Sequence, residues 1–217
     1  MKAIITGDII DSTMIPITQR PALLDTIKKA AYYVQKLSPL KYEIFRGDSF
    51  QFVIDKPEQA LTIAILLRAA LRKSTPEKNS NIWDARISIG IGDIAYVSTN
   101  ITTSDGEAFL LSGRGLDTLG KRALGIFTRW EDINEELQVS TAFADEIISN
   151  WSRYQAETII ASIGDNLKQK EIAIRFQKTP QAINKTLSLA KDNLIKLYIK
   201  RFETIILNKI EVSESVN

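Results

Sequence analysis

The chain contains no cysteine and no histidine among its 217 residues. Without thiols or imidazoles it can form neither disulfides nor the usual zinc sites, and it has no Ser-His or Cys-His catalytic arrangement. The absence of disulfides also fits a reducing compartment. The metal chemistry that remains open uses hard cations, which carboxylates, carbonyl oxygens and water can bind.

Long apolar runs are also lacking. Asp8 interrupts the first apolar stretch before it reaches the length of a signal peptide. No run approaches the roughly twenty apolar residues that a membrane-spanning helix needs. The content of 44% hydrophobic and 25% charged residues is ordinary for a globular protein. We therefore expect a cytoplasmic protein with no membrane partner.

Positive charge is concentrated near the C-terminus. Residues 1–164 contain 18 basic and 20 acidic residues, whereas residues 165–210 contain 10 basic and 4 acidic ones. A basic terminal segment is typical of proteins that bind nucleic acid. A lysine-rich helix exposed to solvent would give the same excess of basic over acidic residues. Because glycine is absent after Gly164, we expect this segment to be helical with short turns.

The hydrophobic pattern predicts alternating strands and helices in the first 140 residues. The predicted elements are a strand Lys2–Ile10, a helix Arg20–Leu37, hairpin strands Tyr42–Phe45 and Ser49–Ile54, a helix Pro57–Lys73, a strand Asp84–Asp93, a helix Glu107–Lys121 and a strand Gly125–Trp130. This β-α-β-β-α-β order predicts an α+β fold with a ferredoxin-like sheet and additions. We divide the chain into a body (1–140), a helical connector (141–164) and an all-α terminal module (165–217).

Two acidic segments stand at the ends of predicted strands. Asp8 and Asp11 follow the first apolar run, and Asp48 lies in the turn Arg46-Gly47-Asp48 of the hairpin. Carboxylates on neighbouring strands could hold a divalent cation and, through it, a triphosphate. The alternative is a structural role, in which Asp8 caps a turn and Gly47-Asp48 only form the turn of the hairpin.

These segments resemble the catalytic domain of class III nucleotide cyclases. The matching motifs are Asp8-Ile9-Ile10-Asp11-Ser12-Thr13, Gly47-Asp48-Ser49-Phe50 and Arg86-Ile87-Ser88-Ile89-Gly90-Ile91. The resemblance implies that Asp8, Asp48 and the carbonyl oxygen of Ile9 bind Mg²⁺ or Mn²⁺. It also implies that backbone amides after Asp8 cradle phosphates, and that two bodies form a homodimer. Candidate contacts to a nucleotide ligand are Asp11, Ser12, Thr13 and Arg46.

The sequence departs from the cyclase pattern at two positions. Ile44 stands where cyclases have a base-reading lysine, and Leu110 stands where they have a ribose-binding asparagine, four residues before Arg114. Arg114 would be catalytic only in an active enzyme, and Asp105 and Arg46 are candidate substitutes. We therefore expect a nucleotide or phosphate sensor, with an active cyclase or other phosphoryl-transfer enzyme as the alternative. A non-enzymatic scaffold is a further alternative.

The terminal module is similar to a bacterial helix-turn-helix. A short helix over Leu167–Phe176 is followed by the turn Gln177-Lys178 and by Thr179-Pro180, which favour a second helix start. The polar residues that this second helix would present to a DNA major groove are Gln181, Asn184, Lys185 and Ser188. The alternative is a helical hairpin that only packs on the body.

The whole layout resembles the SatD family, in which a cyclase-like body precedes a C-terminal helix-turn-helix. The run Gly106-Glu107-Ala108-Phe109 with Arg114 nearby matches the family pattern. This resemblance bears on the fold more than on the function; the helix-turn-helix and the basic terminal segment lead us to expect a DNA-binding transcriptional regulator. The last helix carries an apolar stripe that we assign to core packing or to a dimer seam. Its members are Leu194, Leu197, Tyr198, Phe202, Ile205 and Ile206.

Overall fold

The structure is a computed structural model. It describes residues 1–45, 47–78, 81–95, 101 and 104–215, with side chains as far as Ser213. Arg46 lies outside the described residues, so its assignment to the ligand site stays a prediction. Within the described chain, no helix has both the length and the apolar character needed to cross a membrane.

A five-stranded sheet and eight α-helices make up the described chain. The strands are β1 Lys2–Ile9, β2 Leu40–Phe45, β3 Ser49–Ile54, β4 Ala85–Gly92 and β5 Leu124–Thr128. The helices are α1 Arg20–Val34, α2 Ala60–Ser74, α3 Glu107–Thr118, α4 Glu131–Ser149, α5 Arg153–Ile159, α6 Gln169–Arg175, α7 Pro180–Leu189 and α8 Asp192–Ser215. Short 3₁₀ turns occur at Ser12–Met14, Ile17–Gln19 and Pro57–Gln59, and a π-helical turn at Ile160–Gly164.

The sheet has the strand order β2-β3-β1-β4-β5. Neighbouring strands are antiparallel except β4 and β5, which are parallel. This arrangement confirms the predicted element order and places β1 at the centre of the sheet, where its C-terminal end meets β3 and β4. The predicted ends of two helices are wrong by about one turn: α1 ends at Val34 and α3 at Thr118.

The two faces of the sheet are covered differently. Helices α1 and α2 pack on one face, and α2 is buried along most of its length. On the other face α3 lies directly against β4, because Gly90 leaves room for the helix backbone. A Cβ atom at Gly90 would lie 2.2 Å from the carbonyl oxygen of Ala108. Asp8 lies on this α3 side of β1, since the buried Ala3, Ile5 and Ile9 alternate toward the α1–α2 side.

The C-terminal helices extend the core of the body. Trp151, Ile159, Phe202 and Ile206 are almost completely buried and belong to the same hydrophobic cluster as the sheet. The helical hairpin α6–α7 has a small cluster of its own, formed by Ile172, Ala173, Ile183 and Ala161. The proposed domain boundaries stay a prediction, but α5 and α8 share the core of the body.

Candidate functional site

An open cleft lies where the C-terminal end of β1 meets β3 and β4. Asp8 is in register with Ser49 on β3 and with Arg86 on β4. The amide of Ile9 donates a hydrogen bond of 2.9 Å to the carbonyl oxygen of Asp48. The lining residues are Asp8, Ile9, Ile10, Asp11, Ser12, Thr13, Asp48, Ser49 and Arg86. The structure therefore brings together every predicted metal-binding and ligand-binding residue of the described chain.

Arg86 is a member of this cleft that the sequence did not predict as a site residue. Its Nε donates to one carboxylate oxygen of Asp8 at 2.9 Å, and its Nη2 donates to the other at 2.5 Å. Both side chains are only partly exposed. Arg86 is the only charged residue of β4. A single charge in an apolar strand can indicate a site residue. Here it would have pointed to Asp8 only if the pairing of β4 with β1 had been known.

Among the described residues, two hydroxyl groups hold the carboxylate of Asp48. Ser12 donates to one carboxylate oxygen of Asp48 at 2.8 Å, and Ser49 donates to the other at 3.3 Å. The first of these bonds links the hairpin to the turn that follows Asp11. Asp11 itself adopts a left-handed conformation with φ of 52°, which starts the 3₁₀ turn Ser12–Met14.

The expectation that the amides directly after Asp8 cradle phosphates is wrong for two of them. The Ile9 amide donates to Asp48, and the Ile10 amide donates to the carbonyl oxygen of Asp84 at 3.0 Å. Because both amides are bonded within the protein, neither can receive a ligand oxygen. The next amides, from Asp11 to Thr13, have no acceptor among the described residues. Any amide contribution to anion binding therefore comes from the start of the 3₁₀ turn.

The oxygen donors of the cleft suit a hard divalent cation. Mg²⁺ is usually bound by one or two carboxylates, with waters and substrate phosphates completing its octahedron. Asp8 and Asp48 could supply those carboxylates, and Ile9 lines the same cleft, while the role of its carbonyl oxygen as a ligand stays a prediction. No group of three or more acidic side chains that could enclose a metal occurs in the described part of the chain. A cation bound here would also have to displace Arg86 from Asp8.

The remaining predicted cyclase positions lie outside the lining of the cleft. Arg114 is exposed on α3, and Leu110 is exposed on the same helix. Ile44 is half-buried and packs against the hydrophobic core. Asp105 accepts a hydrogen bond from the amide of Gly106 at 2.7 Å. The conditional catalytic role of Arg114 therefore stays a prediction, since within the described ranges no hydrogen bond or ion pair connects it to Asp8 or Asp48.

A buried ion cluster supports the loop that lines the cleft. Arg68 is fully buried and donates to both carboxylate oxygens of Asp84, at 2.8 and 2.7 Å, and to Asp145 at 2.6 Å. Arg72 donates to Asp84 at 2.7 Å. Burial would raise the pKa of Asp84, but the two arginines outweigh it and lower the pKa. Since the Asp84 carbonyl accepts from Ile10, the cluster fixes one side of the cleft.

The hairpin α6–α7 presents the predicted polar face. Gln177 makes the turn in a left-handed conformation, with φ of 52°, and Thr179 caps α7 by accepting from the Ala182 amide at 3.2 Å. Ile183 is buried and clusters with Ile172 and Ala173 of α6, while Leu187 is only half-buried. The residues assigned to DNA contact, Gln181, Asn184, Lys185 and Ser188, are all exposed. The exposure is as predicted, whereas the DNA contact stays a prediction.

A junction of polar side chains connects this hairpin to α1. Asp165 accepts hydrogen bonds from Tyr33 at 2.5 Å, from Lys36 at 3.0 Å and from Arg175 at 2.5 Å. The contact is close because Gly164 has no side chain: a Cβ atom there would lie 2.3 Å from the Tyr33 hydroxyl. Burial would raise the pKa of Asp165, but the three donors outweigh it and lower its pKa to about 2. We call these four residues the Asp165 junction.

Comparisons with known proteins add little to this description. No protein-family model matches the chain, and no curated protein matches it in sequence. Among solved structures, a bacterial light-regulated adenylyl cyclase is similar with 14% identity and a TM-score of 0.40, over 58% of this chain and 74% of that one. A likeness of that strength assigns no function to this chain. The resemblance to the SatD family stays a hypothesis based on sequence motifs.

Proposed function

We propose that this protein is a DNA-binding regulator whose sheet-containing body senses a nucleotide or related phosphate ligand together with a divalent cation. The observation that carries the proposal is the convergence of Asp8, Asp48 and the turn after Asp11 in one open cleft. Two carboxylates, two hydroxyls and free amides favour a cation that is itself bound to phosphate oxygens.

Arg86 supports the phosphate part of the proposal. A guanidinium group binds carboxylate and phosphate through the same planar pair of donors. When a cation neutralises Asp8, Arg86 would lose its partner and become available to a phosphate oxygen. Asp8 would then pair with the cation and Arg86 with the phosphate ligand. The original ion pair would be lost, but no charge in the cleft would remain unpaired.

The exposed face of α7 supports the DNA part. Gln181 and Asn184 carry amide groups that can pair with adenine, and Lys185 can reach guanine or phosphate. The segment 165–210 carries the excess of basic residues that phosphate contacts require. All four residues assigned to DNA contact are exposed, so a groove could receive this face.

Calorimetry with Mn²⁺ and either ATP or GTP tests the ligand site. We expect binding by the wild-type chain, and a loss of more than about tenfold in affinity for Asp48→Asn, because that variant removes one of two anionic oxygen donors. Asp25→Asn is the matched control, since Asp25 is an exposed acidic residue on α1, away from the cleft. No binding of Mn²⁺ with either nucleotide would contradict the proposal.

Salt-dependent binding to duplex DNA tests the terminal module. We expect Lys185→Ala to weaken binding and to reduce the slope of log affinity against log salt by about one, as for a single lost phosphate contact. Lys28→Ala on α1 removes the same charge from an exposed position outside the module. Equal effects of the two substitutions would show that α7 has no special role.

Product assays separate a sensor from an enzyme. Each nucleoside triphosphate is incubated with Mg²⁺ or Mn²⁺, and cyclic nucleotide, pyrophosphate and orthophosphate are measured. We expect no turnover above that of Asp48→Ala, because Ile44 and Leu110 cannot hydrogen-bond a base or a ribose. Product formation that Asp48→Ala abolishes would replace the sensor with a phosphoryl-transfer enzyme.

A further inference from the structure

Helices α4 and α8 carry large apolar side chains that point into solvent. Phe143 is 70% exposed and Val139 63% exposed on α4, while Leu197 is 65% and Leu194 55% exposed on α8. We call these four residues the α4–α8 patch. Scattered apolar residues are normal on a protein surface, but a contiguous group is typical of an interaction site.

Three side-chain contacts show that the two helices lie side by side. Lys209 binds Asp132 at 2.7 Å, and the Arg201 Nε binds Glu136 at 2.8 Å. The hydroxyls of Thr141 and Tyr198 lie 2.5 Å apart. The residue numbers fall on α8 as they rise on α4, so the two helices run antiparallel.

Helical spacing places the four apolar residues along the same groove as these ion pairs. Val139 and Phe143 follow Glu136 by three and seven residues, so they lie on the same side of α4. Leu197 and Leu194 precede Arg201 by four and seven residues and lie on the matching side of α8. The antiparallel register brings Phe143 opposite Leu197. One half of the groove is therefore closed by ion pairs, and the other half is apolar.

The charges that flank the patch have opposite signs on the two helices. Helix α4 contains six acidic residues and no basic one. The segment 192–201 at the start of α8 contains three basic residues and one acidic residue. Glu135 on α4 and Lys200 on α8 form no ion pair within the described chain. A partner with the reverse arrangement would pair both flanks.

We propose that the α4–α8 patch binds a second copy of this chain across a two-fold axis. A two-fold axis that runs along the groove between the helices would place each α4 against the partner's α8, so that the acidic flank meets the basic flank twice and the apolar residues meet one another. Leu194 lines the same depression as Asn184 and Ser188 of α7. The dimer would therefore hold two α7 helices near one axis, which suits paired half-sites in DNA. The inference depends on this surface and not on the ligand cleft.

Sedimentation equilibrium of the full chain tests the proposal. We expect a dimer for the wild type, and at least a 30-fold increase in the dimer dissociation constant for Phe143→Glu and for Leu197→Glu, as for central interface residues. Both positions face solvent in the single chain, so circular dichroism and the melting temperature should remain those of the wild type. Tyr32→Glu is the matched control, since Tyr32 is 79% exposed on α1, outside the patch.

Cysteine crosslinking identifies the seam directly, because the chain has no cysteine of its own. Under mild oxidation, a mixture of Phe143→Cys and Leu197→Cys chains should form a covalent dimer faster than a mixture of Tyr32→Cys and Leu197→Cys chains at the same concentration, because the seam places each α4 against the partner's α8. A wild-type chain that stays monomeric at 100-fold the concentration of the assays would overturn the proposal, and so would a dimer that both glutamate variants leave intact. A monomeric wild type would mean that the patch does not bind a second copy of this chain. A dimer that survives both glutamate substitutions would mean that the dimer interface lies elsewhere.

Discussion

Among single residues, Arg86 has the largest influence on how the cleft receives a cation. Its guanidinium neutralises Asp8 through two hydrogen bonds, and this hydrogen bonding to Asp8 raises the pKa of Arg86. A divalent cation at Asp8 therefore competes with a charge that the fold already supplies. The competition lowers the affinity for a bare cation, and it favours ligands that also offer a phosphate to Arg86.

Arg86→Gln should raise the affinity for Mn²⁺ alone by about tenfold, because it removes a positive charge within a few ångströms of the cation. The same variant should weaken binding of the Mn²⁺–nucleotide complex relative to Mn²⁺ alone, since the phosphate loses a donor. Electron paramagnetic resonance of free Mn²⁺ measures the first effect, and calorimetry measures the second.

Lys28→Gln serves as the charge-matched control for Arg86→Gln and should leave both affinities unchanged. A decrease in Mn²⁺ affinity for Arg86→Gln would indicate that Arg86 only holds Asp8 in place for the metal. In that case the competition described above would not occur.

Residue types and spacing predicted the acidic pair but not its environment. Asp8 and Asp48 stood out because each ends an apolar run. Arg68 and Arg72 stand four residues apart on the mostly apolar helix α2. Their partners Asp84 and Asp145 are 16 and 77 residues away from Arg68. No local pattern specifies such a pairing, because it is created by the packing of α2 against β4 and α4.

At the scale of elements, periodicity predicted which residues share a face but not what covers that face. Tyr198, Phe202 and Ile206 of the α8 stripe are buried, whereas Leu194 and Leu197 are exposed. All five fit one helical stripe, yet the covering helix α4 reaches only part of its width. The difference between core packing and a seam therefore depends on where α4 and the other neighbours of α8 lie, namely α2, α7 and the turn Pro57–Gln59, and this requires tertiary structure.

The attachment of α6 to α1 should depend on pH through Asp165. The pKa of its carboxyl is lowered to about 2 in the folded chain, against about 3.9 when unfolded. A lowered pKa means that the junction stabilises the folded state above about pH 4, and that this stabilisation is lost as the pH falls through 2. We expect a contribution of about 1 to 2 kcal/mol, allowing for partial solvent screening.

Urea unfolding of the wild type and of Asp165→Asn between pH 2 and pH 6 measures this contribution. The difference in unfolding free energy should be constant above pH 5 and should shrink toward pH 2. Asp25→Asn, which removes an exposed i,i+4 ion pair with Lys29, should change the free energy by less than about 0.5 kcal/mol. A difference for Asp165→Asn that does not vary with pH would contradict the assignment.

For the whole molecule, a continuous series of elements connects the ligand cleft to the proposed DNA-reading helix. The turn after Asp11 leads through the 3₁₀ segment Ile17–Gln19 into α1. Tyr33 near the end of α1 and Lys36, two residues beyond the helix, donate to Asp165, and Arg175 of α6 binds the same carboxylate. Continuity alone does not establish coupling, because coupling requires that the two ligands favour different arrangements of these elements.

Linkage gives the test of that coupling. If Mn²⁺ with a nucleotide changes the DNA affinity by a factor, DNA must change the nucleotide affinity by the same factor, and we expect a factor of about 5 to 150. Both affinities are measured in the wild type and in Asp165→Asn, whose substitution touches neither proposed binding surface. We expect the variant to bind each ligand alone as the wild type does, but with a coupling factor close to one. If both ligands bind and the wild-type factor is already one, the protein holds two independent sites, and the path through α1 transmits nothing.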